Sequence, residues 1–189
     1  MRRAGTARRV VLISAAVLVA VVVGAIVLGT ATLRRAWPQV SGEIALEGIN
    51  ARVSVSRDAT GVPTITADTP GDLFRAQGFV DAQDRFFVMD LRRHIASGTL
   101  AELVGASGLT VDRTVRTMGW RAVAEAELPT LSPSTRLYLG AYADGVNDYL
   151  ARAGDPANLA VEYTVLGAQL PEYQIQKWSP VDSLVWLKA

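Results

Sequence analysis

Thr69-Pro-Gly-Asp-Leu-Phe-Arg-Ala-Gln-Gly-Phe-Val-Asp-Ala-Gln-Asp-Arg-Phe-Phe-Val-Met-Asp-Leu-Arg-Arg-His-Ile-Ala-Ser-Gly98 carries both end signals of one long helix. Thr69 is a good N-cap. Pro70 suits the first helical position, where a missing N–H costs nothing, and Asp72 sets a carboxylate over the free N–H groups of the first turn. Gly98 suits the left-handed cap that ends a helix. Between them Leu73, Phe74, Val80, Phe87 and Leu91 supply a helical apolar face. The spacing predicts a helix from Pro70 to about Ser97.

Upstream, Arg52-Val-Ser-Val-Ser-Arg57 alternates polar residues with Val, Asp58-Ala-Thr-Gly61 is a turn cluster, and Val62-Pro-Thr-Ile-Thr-Ala67 is β-rich. Together they predict a β-hairpin. Pro63 sits near the start of its second strand, where a missing donor is tolerated. Downstream, Thr99-Leu-Ala-Glu102 reads as a capping box for a short helix closed by Gly105. Further helices fit about Val111 to Leu128, and Ser132-Pro133 to Gly154. The second has Leu137, Leu139, Tyr142, Val146, Tyr149 and Leu150 as its apolar contacts. Ser179-Pro180-Val-Asp182 opens one more helix. On the sequence alone Leu184, Val185 and Leu187 have nothing after them to pack on, so the natural chain is expected to continue past Ala189.

The first 35 residues are of another kind. All six of their charged residues are Arg (2, 3, 8, 9, 34, 35), whereas the rest carries 13 basic against 18 acidic side chains. A basic head on an acidic body is not the pattern of a nucleic-acid binder. Val10 to Leu33 is an uncharged, mostly apolar run of 24 residues, long enough for the roughly 20 residues that cross a bilayer as a helix. The Arg excess precedes it, which predicts a cytoplasmic N-terminus and an exported body. The alternative is a cleaved signal peptide, with Gly29-Thr-Ala31 as a weak cleavage site; the body is then secreted or periplasmic. The division expected is residues 1–35 as anchor or signal segment, 36–51 as linker, with Pro38, Gly42 and Gly48, and 52–189 as the folded region.

Chemistry is sparse. The chain has no Cys and one His, which excludes disulfides, Cys-type zinc sites, a cysteine nucleophile and a His-cluster metal site. Asp81 and Asp84 are paired carboxylates at i, i+3, a spacing that suits acid–base work or a metal. The plainer reading is a polar helix face with an Asp81–Arg85 ion pair. Asp144 and Asp148 read as a solvated face, and His94 has no obvious partner. Gly105-Ala-Ser-Gly108 lacks the Lys and the spacing of a phosphate loop. No catalytic, substrate-binding or metal residue is assigned.

The ordered set of segments says more than any one of them. Ser56-Arg-Asp-Ala-Thr-Gly-Val-Pro63, Asp72-Leu-Phe74, Gly78 through Arg93 and Ser97-Gly-Thr-Leu-Ala-Glu-Leu-Val-Gly105 follow in order. After them come Tyr142-Ala-Asp-Gly-Val-Asn147, Glu162-Tyr163, Leu166-Gly167 and Trp178-Ser-Pro-Val-Asp-Ser183. From Arg52 onward this resembles the α-chain of the penicillin acylase (penicillin amidase) family of N-terminal-nucleophile hydrolases. The resemblance implies an α+β fold: an anchor or signal helix, a hairpin, and the mainly helical α-chain part of a four-layer αββα core shared with a β-chain. It implies an exported precursor whose β-chain begins with a nucleophilic Ser. That Ser's own α-amine serves as base, so no His is required. The substrates implied are acyl amides such as β-lactam side chains or acyl-homoserine lactones. Relatives that use calcium bind it through an α-chain acid that would fall past Ala189, as would the acyl-pocket residues. Arg57, Asp58, Asp81, Gln83, Asp84 and Arg85 match family motifs as scaffold. Thr64 stands where relatives often have His. The competing reading is a non-enzymatic, membrane-anchored helical binding module, or an inactive gene remnant.

Overall fold

The computed structural model describes residues 2–188. It is mostly helical, with one two-stranded sheet among the described residues. Helix α1 (Arg2–Arg35) meets the body only at its C-terminal end, where Arg35 pairs with Asp155. Its Leu12–Arg35 portion reaches a mean hydropathy of 2.8 and none of it is buried, so by length and composition it is able to cross a membrane. Strands β1 (Ser54–Arg57) and β2 (Pro63–Thr66) pair antiparallel, Ser54 opposite Thr66 and Arg57 opposite Pro63. The turn between them is closed by Asp58. Its carboxylate accepts from the Thr60 N–H (2.8 Å), the Thr60 hydroxyl (2.7 Å) and the Val62 N–H (2.9 Å).

Helix α2 (Pro70–Ser97) is built as its end signals require. The Asp72 N–H donates to Thr69 Oγ1 at 3.1 Å, and Gly98 takes φ 69° as a left-handed cap. Its buried side is not the one that the large apolar residues suggest. Of Leu73, Phe74, Val80, Phe87 and Leu91 only Val80 is fully buried; the inward seam is Asp72, Ala76, Phe79, Gln83, Phe86, Asp90 and Arg93. These steps alternate four and three, the helical period. Four polar residues among its seven, Asp72, Gln83, Asp90 and Arg93, hide the seam from any count of apolar side chains.

The seam packs on α6 (Pro133–Ala153), which Ser132 caps by accepting from the Thr135 N–H at 3.1 Å. Phe79, Phe86, Val146, Tyr149, Tyr163 and Trp178 form the main core, with Phe79 and Tyr149 edge to face at 5.3 Å. Leu137, expected in this contact, is exposed. Asp148 departs from the solvated-face reading: the Arg75 guanidinium grips it through two bonds of 2.7 and 3.0 Å and ties α2 to α6.

Between these two helices lie α3 (Ala101–Val104), α4 (Leu109–Met118) and α5 (Trp120–Glu127). The helix expected over 111–128 is thus two, because Gly119 takes φ 69° and turns the chain. The Thr99 capping box does not form. The N–H groups at the start of α3, Leu100 and Ala101, are taken by Asp112 at 2.7 and 2.9 Å, and the Thr99 hydroxyl turns to His94 instead. Helix α7 (Val161–Gln169) follows a short turn at Pro156–Asn158.

The last helix, α8 (Pro180–Val185), has the full capping box. The Ser179 N–H donates to Asp182 at 2.7 Å, and Ser179 Oγ accepts from the Asp182 N–H. Leu184 and Val185 do find packing partners, contrary to the sequence reading. They are buried against Ala96 and Ala124, with Trp120, Leu128 and Leu139 around them, whereas Leu187 is exposed.

Candidate functional site

Two polar constellations and one groove flank α2. The first gathers the residues singled out in the 81–85 cluster. Arg57, at the end of β1, forks onto Asp84 at 2.7 and 2.9 Å, reaches Gln83 Oε1 at 3.2 Å and donates to the Gly61 carbonyl at 3.0 Å. Gln83 in turn donates to the Gln39 carbonyl at 2.8 Å. The helix kinks one residue on, at Arg85 (φ −153°, ψ 30°). This constellation staples both the hairpin and the 36–51 stretch to α2.

Asp81 has a separate partner, the Tyr142 hydroxyl at 3.0 Å, and no direct bridge to Arg85 forms. Burial pushes the Asp81 carboxyl above its ordinary range, and the Tyr142 hydrogen bond acts against that shift. The same burial, with the Asp81 charge added, pushes the Tyr142 hydroxyl up. Asp81 and Asp84 therefore face different partners and do not act as a carboxylate pair. No group of three or more His, Asp or Glu side chains is arranged to hold a metal among the described residues.

The second constellation was not legible in the sequence. Asp90 is wholly buried and accepts from the Tyr163 hydroxyl (2.7 Å), the Tyr173 hydroxyl (2.6 Å) and the Arg93 guanidinium. His94 does have partners: Nδ1 meets the Thr99 hydroxyl at 2.7 Å, and Nε2 meets the Tyr173 hydroxyl at 3.0 Å. Arg93 also donates to the Gln176 and Lys177 carbonyls at 3.0 and 3.2 Å. Asn147 fixes the next residue of that segment. It donates to the Trp178 carbonyl at 2.9 Å and accepts from the Trp178 N–H at 2.8 Å. Every strong group in this set is satisfied internally, which marks it as an organiser of the fold. The bonds from Asp90, Arg93 and His94 to residues 163–177 span 73 to 84 residues in sequence, so only the folded chain reveals it.

The groove, of about 640 Å³, opens between α2, α6 and α8. Phe74, Met89, Tyr138, Tyr142, Trp178 and Trp186 give it an aromatic and aliphatic lining, and Arg85, Arg92 and Asp182 add charge. Arg92 lies 4.3 Å over the Trp186 ring, a cation–π contact. Of its hydroxyl residues, Ser183 Oγ accepts from the Trp178 indole N–H at 3.0 Å and Thr135 meets the Ser132 hydroxyl at 2.8 Å, so neither is paired with a base.

Comparison with known proteins adds the rest. The penicillin amidase family profile matches residues 52–189. Penicillin acylase 2 proenzyme of a Pseudomonas species is 40% identical over 156 residues, 82% of this chain and 19% of that protein. Acyl-homoserine lactone acylase QuiP of Pseudomonas aeruginosa is 38% identical over 146 residues, 77% of this chain and 16% of its own length. Penicillin G acylase of Escherichia coli is 33% identical over 138 residues, 72% and 16% of the two chains. The chain thus spans under a fifth of the curated relatives it matches. In structure it is similar to the thermostable penicillin G acylase of Alcaligenes faecalis, with a TM-score of 0.62, 31% identity, and coverage of 72% of this chain and 70% of that one. On these matches the chain belongs to the penicillin amidase family.

Proposed function

We propose that this chain is the N-terminal, α-chain part of an exported amidohydrolase precursor that cleaves acyl amides. The observation that carries the reading is the family match over 52–189, from the hairpin to α8. The relatives are named for acylated penicillins and acyl-homoserine lactones, and the substrate class proposed here is the amide those names share.

In this reading α2, α6 and the hairpin form the helical outer part of an αββα fold completed by a second chain. The groove between α2, α6 and α8 is the wall on which the rest of the precursor packs. Its aromatic lining, and the exposed Val88, Trp186 and Leu187 on α2 and at the end of α8, support that, since a surface of this kind favours burial against a partner. The nucleophile is an N-terminal Ser on the second chain. Its hydroxyl attacks the amide carbonyl, and its own α-amine takes the proton. Residues 1–35 anchor the protein in the membrane with the body outside. A cleaved signal is the other outcome, and the size of the mature product distinguishes the two.

Autoprocessing tests this. Expressed in frame with the coding sequence that follows Ala189, the protein is expected to split into a chain carrying this sequence and one beginning with Ser, read by intact mass and N-terminal sequencing. A stop codon directly after Ala189, or a product that never splits, contradicts the reading.

A further inference from the structure

Residues 36–51 are not a free tether. The Arg35 guanidinium, at the end of α1, pairs with Asp155 at 3.0 Å and donates to Asn158 Oδ1 at 3.3 Å. Gln39 is held twice, by Arg152 on its side chain at 3.0 Å and by Gln83 on its carbonyl at 2.8 Å. Ile44 and Leu46 pack on the main core. The end of α1 also touches α7 and the Pro156–Asn158 turn. The apolar helix therefore enters the body at a fixed place.

That fixes where the body lies relative to a bilayer. The headgroup layer on each side is only about 5–8 Å deep. Arg35 closes the apolar run, so a group bonded to it lies at headgroup level. Helix α7 touches the end of α1, so the part in contact lies close to that level. The face is suited to such a place. Trp37, two residues past the helix, is 71% exposed; Val40 is 62% and Val165, on α7, 59% exposed. An exposed Trp at the end of an apolar helix is the typical interfacial anchor. Arg34 and Arg152 are exposed nearby and suit anionic headgroups.

We propose that Trp37, Val40, the Asp155–Asn158 turn and α7 form a lipid-facing surface, so that the body is seated on the membrane. This rests on the reading of α1 as a membrane anchor, and the test separates the two. The chain has no cysteine, so an introduced one is a unique label site. Val165→Cys and Ala168→Cys place a fluorophore on exposed positions of α7. Leu137→Cys places it at the far end of α6, 16 residues before Ala153, about 24 Å along the helix. The full chain is reconstituted in vesicles of phosphatidylethanolamine and phosphatidylglycerol carrying acyl-chain nitroxides near the headgroups.

Flotation of the chain with the vesicles and several-fold stronger quenching at 165 and 168 than at 137 are the expected results. Flotation with equally weak quenching at all three positions overturns the lipid-facing surface and leaves the anchor standing. Failure to float with the vesicles overturns the anchor reading, and the surface with it.

Discussion

Gly78 of α2 and Gly145 of α6 mark the crossing at which the two helices meet backbone to backbone. A Cβ on Gly145 would lie 1.8 Å from the Arg75 carbonyl oxygen, and one on Gly78 would lie 2.0 Å from the Tyr142 carbonyl oxygen. Neither obstacle is a side chain that can swing aside. Gly78→Ala and Gly145→Ala are each expected to destabilise by about 1–3 kcal/mol or more, because overpacking a close contact forces backbone shifts. Gly140, also on α6, has nothing within 4 Å of its added Cβ. Gly140→Ala is expected to be neutral or to stabilise by up to about 1 kcal/mol through helix propensity. Urea melts of the three variants check this, and equal midpoints for Gly140→Ala and Gly145→Ala contradict it.

How much of this was legible depended on range in the sequence. End signals are local chemistry, so Thr69, Gly98, Ser132, Gly154 and Ser179 placed helix ends where the structure has them. Pro63 likewise opens β2, as its missing N–H allows. The Thr99 box failed because His94 took the groups that it needed, the Thr99 hydroxyl on its ring and the Thr99 N–H on its carbonyl. The inward face of α2 was misread because Gln83, Asp90 and Arg93 lie on it, each paid for by hydrogen bonds from other elements. The family was legible because its motifs are ordered along the chain. No catalytic residue was read from the sequence.

Asp90 is expected to be among the most costly positions to change. Asp90→Ala leaves Arg93 buried without its carboxylate, and two tyrosine hydroxyls without their acceptor. Removing one partner of a buried charged pair costs about 3–5 kcal/mol. Denaturant midpoints measure it. A loss below about 1 kcal/mol, the range of surface pairs, contradicts the buried network.

Acid sensitivity has a definite sign at Asp72. The Asn50 N–H, at 3.0 Å, is first among the hydrogen bonds that hold its carboxyl below the ordinary range. A depressed folded-state value contributes stability above the unfolded value of about 3.9 and loses it as pH falls through the folded value. Asp58 acts the same way, chiefly through the Thr60 hydroxyl, whereas Asp81, raised by burial, acts oppositely. Asp72→Asn is expected to be less stable than the parent at pH 7, by a margin that shrinks towards pH 3. A margin independent of pH contradicts the assignment.

Topology is open to a reporter. With the Arg excess before the apolar run, an enzyme reporter fused after Ala189 is expected to be active outside the cytoplasm. Activity inside reverses the orientation and removes the export reading.

Turnover tests the central claim most directly. The purified 189-residue chain and the same chain expressed in frame with the sequence that follows it are assayed on chromogenic phenylacetyl and fatty-acyl amides. No hydrolysis is expected from the first, since losing the nucleophile removes many orders of magnitude of rate, and clear turnover is expected from the second once it is processed. Turnover by the 189-residue chain that a point change within it abolishes, or a processed full product that cleaves no acyl amide, would contradict that claim.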